Sequence, residues 1–134
     1  MKDKFISQGH IYMCDFSGAK GSEQKGTRLA LVVTSNVANQ FSNVITVIPL
    51  TTKHKNSLPV HYILLYDKYK YLSEDSVLLC EQIRTVDKER IGKYIGKIDL
   101  EDLVEVIDTI GENLKIYTLG RTLHGRTNGF KKEG

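Results

Sequence analysis

The sequence predicts a mainly β protein, a small and mostly antiparallel β-barrel with one amphipathic helix packed against it. Three observations predict this fold. Runs rich in apolar and β-branched residues alternate with polar loops, these runs are too short for helices, and one long helical pattern follows them late in the chain. The 134 residues have the length of one domain, and no internal repeat or second domain is visible.

Five or six segments have the composition of strands. Residues 28–34 (RLALVVT) form a continuous apolar run, which predicts a buried strand. Residues 43–50 (NVITVIPL) are dense in β-branched side chains, and Pro49 places the end of that strand at a sheet edge or a bulge. In chain order the predicted strands cover residues 10–16, 28–34, 43–50, 60–66, 76–84 and 93–98.

Helical signals are fewer. Ser35 and Asn36 predict the cap of a single helical turn that runs to Phe41, and residues 87–90 predict a second turn. Asp99 predicts the cap of the one long helix, where acidic residues crowd the first turn. Apolar residues recur along it at helical spacing, which predicts one apolar and one strongly acidic face. They are Leu100, Leu103, Val104, Ile107, Ile110 and Leu114.

The distribution of charge says more than the net charge of +3. Residues 117–134 carry four basic residues and one acid, so the remaining body is neutral, and this glycine-rich end is predicted to be a flexible basic tail after a domain at 1–116. Basic residues also gather in two loops, which predicts contact with an anion at one place rather than the coating of duplex DNA. The loop residues are Lys20, Lys25, Arg28, Lys53 and Lys55.

Cysteine and histidine usage argues against a metal site. Cys14 and Cys80 both lie in apolar runs and are predicted to be reduced and buried, with a disulfide or a reactive thiol as alternatives. The histidines and cysteines lack the spacing of a zinc site, and no glycine-rich phosphate loop precedes a helix. No apolar run approaches the roughly 18 residues that span a bilayer. We therefore expect a cytoplasmic protein without metal or cofactor.

The stretch GSEQKGTR at residues 21–28 is the most informative segment. Its two glycines permit a loop that approaches a ligand closely, and Arg28 stands at the mouth of an apolar strand. There it is either a surface residue at the rim of the barrel or a phosphate-binding residue whose planar guanidinium makes two hydrogen bonds to the anion. Thr51 has the same ambiguity, because it is either a strand terminator or a hydroxyl that hydrogen-bonds the same phosphate.

The segments GSEQKGTRLALVV, VIPLTT, LPVH and DSVLLCEQIRTVDKERIGKYIG, followed by an acidic helix, closely resemble the MazF/PemK toxins of bacterial toxin–antitoxin pairs. The resemblance covers about residues 8–115. It implies an SH3-like barrel of the CcdB/MazF type and a homodimer. It also implies metal-independent, sequence-specific cleavage of single-stranded RNA and neutralisation by an acidic, MazE-like antitoxin.

By position, Arg28 and Thr51 match the catalytic pair of this family. Ser22, Glu23 and Gln24 match the mobile loop over the active site, and Glu81 and Gln82 match the floor of the RNA groove. RNA is most easily cut without a metal through attack by the neighbouring 2′-hydroxyl, which leaves 2′,3′-cyclic phosphate and 5′-hydroxyl ends. The proton acceptor stays open among His61, Glu23 and an arginine with perturbed protonation.

The sequence departs from the family pattern at three places. Leu29 replaces the proline that usually follows the arginine, His10 replaces an acidic residue, and the tail beyond about Thr118 has no counterpart. Leu29 leaves open a degenerate member that only binds RNA or antitoxin. A second alternative to the ribonuclease is a toxin that binds DNA gyrase without catalysis, because the gyrase-poisoning toxins share this barrel.

Overall fold

The computed structural model describes residues 5–53 and 58–115, together with the backbone of 117–118 and 121–122. Seven strands form one antiparallel sheet, and a two-stranded pair follows the last helix. The strands are β1 His10–Asp15, β2 Thr27–Val32, β3 Val44–Thr51, β4 His61–Leu64, β5 Ser76–Leu79, β6 Arg84–Asp87, β7 Ile91–Lys97, β8 Tyr117–Thr118 and β9 Arg121–Thr122. The helices are α1 Asn36–Phe41 and α2 Leu100–Asn113, and one-turn 3-10 helices cover Cys80–Gln82 and Lys88–Arg90.

The sheet order is β4-β5-β3-β2-β1-β7, and β6 also pairs with β3. Buried apolar residues form two clusters, one containing Ile11, Leu31 and α2 residues, the other Cys14, Ala30 and Val47. Since successive strand residues point to opposite faces, the alternation along β1 and β2 places a core on each side of the sheet. The predicted mainly β fold with a C-terminal helix is confirmed.

Strand β3 changes its partner half-way along its length. Val44–Val47 pair with β6, whereas Leu50 and Thr51 pair with β5, and β2 pairs with the opposite edge. Pro49, which has no N–H to donate, lies between the two stretches, where only β2 is paired with it. The sequence signal for an interruption at Pro49 therefore corresponds to this exchange of partners.

The single strand predicted at residues 76–84 is wrong. The chain instead forms β5, a 3-10 turn at Cys80–Gln82 and β6. β5 pairs with the end of β3 and β6 with its beginning, so the intervening turn is needed to carry the chain between them. Amino-acid composition indicates strands on both sides of this turn, but it does not indicate with which strand each of them pairs.

Both predicted helix caps are present. The Ser35 side chain accepts from the Ala38 N–H at 3.2 Å, and the Asp99 side chain accepts from the Asp102 N–H at 2.9 Å. Each bond satisfies an N–H that has no partner inside its helix. Within the described part of the chain, neither helix is long and apolar enough to cross a bilayer.

The prediction of one apolar face on α2 needs correction. Val106 and Ile110 are buried and Leu103 packs against the core, whereas the other predicted residues are exposed. The helix therefore carries two apolar stripes, of which only one faces the sheet. Val106 belongs to the inner stripe although the predicted set of apolar residues omitted it, and the exposed residues are Leu100, Val104, Ile107 and Leu114.

The two cysteines are free and fully buried, as predicted. Burial raises the pKa of Cys14 to about 11 and that of Cys80 to about 12. The disulfide alternative is wrong because both thiols are free. The reactive-thiol alternative is wrong because a reactive thiol needs a lowered pKa and access to solvent, and both thiols are buried.

Candidate active site

A cleft of ≈ 340 Å³ opens where β2 begins and β3 ends. Its wall holds two cations, Arg28 and Lys53, beside hydroxyl and carboxamide groups. The described residues that line it include neither a carboxylate nor an imidazole. The cleft therefore favours an anion. The lining residues are Met13, Gln24, Thr27, Arg28, Leu29, Leu50, Thr51, Thr52, Lys53 and Ser76.

The register of β2 and β3 explains why Arg28 and Thr51 line the same cleft. The outermost pair of this ladder is Ala30 with Pro49, and each step outward moves one residue back on β2 and one forward on β3. Two steps lead to Arg28 and Thr51. Directly opposite residues of an antiparallel pair lie on the same face, so both side chains reach the cleft where the ladder has ended.

Neighbouring backbone groups orient both side chains. Arg28 Nε donates to the Lys25 carbonyl oxygen at 3.0 Å, and within the described residues its two terminal nitrogens make no hydrogen bond. Thr51 Oγ1 accepts from the Lys53 N–H at 3.1 Å, so its own O–H is directed elsewhere and is available to donate. The arrangement offers a planar cationic donor and a hydroxyl donor to one anionic ligand.

The loop at residues 16–26, named here the cleft loop, connects β1 to β2. Gly21 and Gly26 have φ of 59° and 73°, in the left-handed region that glycine adopts without strain. Of its three predicted ligand-binding residues, only Gln24 lines the cleft. Ser22 and Glu23 are exposed, and Glu23 Oε1 accepts from the Lys20 N–H at 2.6 Å, which closes a turn inside the loop.

Glu81 and Gln82 follow β5, and their side chains bind different parts of the protein. Glu81 Oε2 lies 3.1 Å from His61 Nε2. His61 Nδ1 accepts from the Leu58 N–H at 3.2 Å, so the neutral ring carries its proton on Nε2 and donates it to Glu81. The Gln82 side chain binds the cleft loop, since its Oε1 accepts from the Gln24 N–H at 2.9 Å and its Nε2 donates to the Ser22 carbonyl oxygen at 3.3 Å.

The structure brings Arg28, Thr51 and Gln24 to one cleft, with Gln82 attached to it through the loop. His61 and Glu81 form a separate pair that does not line the cleft. The sequence analysis assigned no site role to three further lining residues, Thr27, Thr52 and Ser76, or to Arg84, which binds the cleft loop. The polar run TTK after a strand was a signal for Thr52. Of the five loop cations that the charge pattern singled out, Arg28 and Lys53 line the cleft, Lys20 and Lys25 do not, and Lys55 lies outside the described residues.

The fold and the cleft together define a class of protein: a small antiparallel barrel with an arginine and a hydroxyl held at adjoining strand ends for an anionic ligand. Comparison with known proteins identifies the family. The model of the PemK-like, MazF-like toxins of type II toxin–antitoxin systems matches residues 7–114. The chain belongs to this family.

Relatives and solved structures agree with this assignment. Endoribonuclease EndoA of Bacillus subtilis is 37% identical over 112 residues, which cover 83% of this chain and 92% of that protein. Endoribonuclease MazF of Staphylococcus saprophyticus is 34% identical over 115 residues, covering 85% and 95% respectively. A crystal structure of MazF from Deinococcus radiodurans matches with a TM-score of 0.72 and 25% identity, covering 84% of this chain and 98% of that one.

The fold also occurs in toxin–antitoxin complexes. A MazE–MazF structure from Deinococcus radiodurans matches with a TM-score of 0.66 at 21% identity, covering 83% of this chain and 97% of that one. At this identity the match is evidence for the fold.

Proposed function

We propose that this chain is the toxin of a toxin–antitoxin pair and acts as a sequence-specific endoribonuclease on single-stranded messenger RNA. Two relatives that align over most of the chain carry the name endoribonuclease. The observation that carries the proposal is the presence of Arg28 and Thr51 in one cationic cleft. A phosphodiester of the RNA backbone is the anion that these two donors suit.

The proposed reaction is an internal transfer at phosphorus. The 2′-oxygen attacks the adjacent phosphorus and gives up its proton, the bond to the 5′-oxygen breaks, and that oxygen takes a proton. The products are a 2′,3′-cyclic phosphate and a 5′-hydroxyl. Charge grows on the non-bridging oxygens in the transition state, where the Arg28 fork and the Thr51 O–H are proposed to stabilise it.

The composition of the cleft supports a reaction without a metal ion. Divalent cations such as Mg²⁺ are held by carboxylates, and the described cleft wall offers none. Two positive side chains stand there instead, Arg28 and Lys53. They supply the charge that a metal supplies in other nucleases.

Of the three candidates for the proton acceptor, only the arginine lines the cleft. Both ring nitrogens of His61 already have partners, Leu58 N–H and Glu81, and Glu23 Oε1 accepts a bond within its own loop. For His61 or Glu23 to act as base, the cleft loop or the RNA would have to bring the reacting 2′-hydroxyl to them.

We further propose that the protein is cytoplasmic, forms a homodimer and binds an acidic antitoxin, as the Deinococcus MazF binds MazE. An acidic segment is complementary to the Arg28 and Lys53 charges of the cleft and would compete with RNA for them. The toxin domain is proposed to cover residues 1–116, and residues 117–134 form a basic extension.

The test is to incubate the purified protein with single-stranded RNA in excess chelator and to map the ends of the fragments. Fragments with 2′,3′-cyclic phosphate and 5′-hydroxyl ends, cut at one short sequence, are expected. Arg28→Ala should lower the cleavage rate by about 10²- to 10³-fold, because a donor to the developing charge is lost. Lys20→Ala removes a positive charge from the cleft loop at a residue that does not line the cleft, and it serves as the control.

Full activity of Arg28→Ala, or cleavage that disappears in chelator, would contradict the assignment. DNA damage without loss of RNA in expressing cells would point instead to the gyrase-binding alternative.

A further inference from the structure

Arg84 lies at the start of β6 and holds the cleft loop from the far side. Its Nη2 donates to the Gln24 carbonyl oxygen at 3.2 Å and approaches Gln82 Oε1 at 3.5 Å. Its guanidinium stacks on Phe16, with the central carbon 4.3 Å from the ring centroid. Phe16 is buried, so the ring is a firm support for this cation–π contact.

Gln82 and Arg84 hold the same short piece of backbone. Gln82 binds both the Gln24 N–H and the Ser22 carbonyl oxygen, and Arg84 binds the Gln24 carbonyl oxygen. The peptide groups on both sides of Gln24 are therefore attached to residues about 60 positions later in the chain. After the buried Phe16, the loop residues 17–26 are exposed except for Ala19 and Gln24, so this part of the loop depends on such bonds for a defined conformation.

The next residue of the loop orients Arg28. The Lys25 carbonyl oxygen accepts from Arg28 Nε at 3.0 Å, and this is the bond that directs the guanidinium fork in the cleft. The Gln24 and Lys25 carbonyl groups belong to consecutive planar peptide units that meet at the Lys25 Cα, so displacement of the Gln24 peptide shifts this Cα and the carbonyl attached to it. The bonds made by Arg84 thus reach Arg28 through two consecutive peptide units.

We propose that Arg84 is a positioning residue for the reaction, which acts on Arg28 through the backbone of Gln24 and Lys25 rather than by touching RNA. This inference rests on the proposed ribonuclease function. Loss of Arg84 releases the loop, and Arg28 then samples orientations that do not match the transition state. Small displacements of this kind reduce the chemical step strongly while substrate binding changes little.

The first measurement needs no RNA. Hydrogen exchange of the Gln24 amide, read by NMR on the intact protein, should become at least about tenfold faster in Arg84→Ala than in the wild type, since its acceptor Gln82 Oε1 loses its own partner. Trypsin should also cut faster after Lys25. Arg90→Ala is the matched control: it removes the same charge from an arginine that binds the Asp15 and Ser17 carbonyl oxygens, at the first residues of the loop rather than at Gln24.

The second measurement is kinetic. Arg84→Ala should lower kcat by roughly 10- to 100-fold and leave KM within about twofold, whereas Arg90→Ala should change neither. Arg84→Lys keeps a donor and the charge and should recover part of both kcat and the Gln24 protection. If Arg84→Ala fails to fold, Arg84→Lys replaces it in both measurements.

Three outcomes would overturn the inference: unchanged Gln24 exchange in a folded Arg84 variant, a rise in KM with normal kcat, or equal effects of Arg90→Ala. If the wild type cuts no RNA, the proposed function fails. The exchange and trypsin results then still decide whether Arg84 holds the loop.

Discussion

At the scale of single residues, the candidate site depends on which atoms the backbone already occupies. Thr51 Oγ1 accepts from the Lys53 N–H, and Arg28 Nε donates to the Lys25 carbonyl oxygen. Each bond uses one polar group of the side chain and leaves the remaining donors directed to the cleft. The groups available to a ligand are therefore the terminal nitrogens of Arg28 and the O–H of Thr51.

Thr51→Val tests this use of the hydroxyl. The substitution conserves shape and removes the O–H donor, so we expect kcat on RNA to fall by about 10- to 100-fold, since a hydrogen bond to a charged group contributes about 1.5–3 kcal/mol. Single-turnover cleavage by the purified variant measures the effect. Thr85→Val is the control, because Thr85 is exposed on β6 and bonds Thr46 outside the cleft. Equal activity of both variants would exclude Thr51 from the reaction.

At the scale of elements, α2 is attached to the sheet by an apolar stripe and by a polar cluster at its first turn. Asp102 is the centre of this cluster: it accepts from Tyr62 Oη at 2.5 Å and from Tyr69 Oη, and Lys68 Nζ lies 2.9 Å away. Tyr69 Oη also accepts from the Asp99 N–H at the helix cap. The cluster joins β4, the chain after it and α2 at one carboxylate.

The two apolar stripes of α2 predict different costs for the same substitution. Ile110 is 9% exposed and Ile107 is 42% exposed. Ile110→Ala should lower the free energy of unfolding by about 2–4 kcal/mol through reduced burial and the cavity left behind. Ile107→Ala should cost less than about 1 kcal/mol. Urea unfolding of both variants checks this, and similar values for the two would mean that the outer stripe is also covered in solution.

Asp102 predicts how stability depends on pH. Burial alone would raise the pKa of Asp102, but the bonds from Tyr62, Tyr69 and Lys68 outweigh it and hold the pKa below its ordinary 3.8. A carboxyl whose pKa is lowered by folding stabilises the folded state at every pH above its pKa in the unfolded chain. This contribution is lost as the pH falls through its pKa in the folded protein.

Asp102→Asn should therefore destabilise the protein by about 1–3 kcal/mol near neutral pH. The difference from wild type should hold down to about pH 5 and shrink as the pH falls further, through the ordinary pKa of 3.8 towards the lower folded pKa. Urea unfolding across this pH range measures it, with Asp108→Asn on the exposed part of α2 as the control. A difference that stays constant with pH would show that the carboxylate charge contributes nothing.

At the scale of the whole molecule, two groups of basic residues are candidates for binding RNA phosphates. One is the cleft, with Arg28 and Lys53, and the other is the segment 117–134 with its four basic residues and one acid. A phosphate that binds to either cation group releases counterions from the nucleic acid. The salt dependence of RNA binding thus reports how many phosphates the protein neutralises.

Deletion of residues 117–134 should make the salt dependence of RNA binding shallower. The slope of log K against log salt should change by about 0.7 for each phosphate of single-stranded RNA that the shortened protein no longer neutralises. Titrations with an uncleaved RNA at several salt concentrations measure it. Replacement of Arg121, Arg126, Lys131 and Lys132 by glutamine in the full chain should reproduce the change. An unchanged slope would assign RNA binding to the cleft alone.

Much of this protein is determined locally and can be read without a structure. Strand composition, the Ser35 and Asp99 caps and the burial of Cys14 and Cys80 follow from side-chain chemistry and from spacing over a few residues. The resemblance of the motifs to the MazF/PemK toxins likewise singled out Arg28 and Thr51. Such features depend on neighbours in sequence, which is why the sequence alone determined them.

Pairing between distant segments was decided only by the tertiary structure. The β2–β3 register places Arg28 and Thr51 in the same cleft. The change of partner along β3 splits the predicted strand at residues 76–84, and packing on the sheet selects one of the two apolar stripes of α2. The hydrogen bond of Arg84 to Gln24 joins residues 60 positions apart. Composition and periodicity report which face is apolar, but not which partner covers it, because that choice depends on the packing of the whole chain.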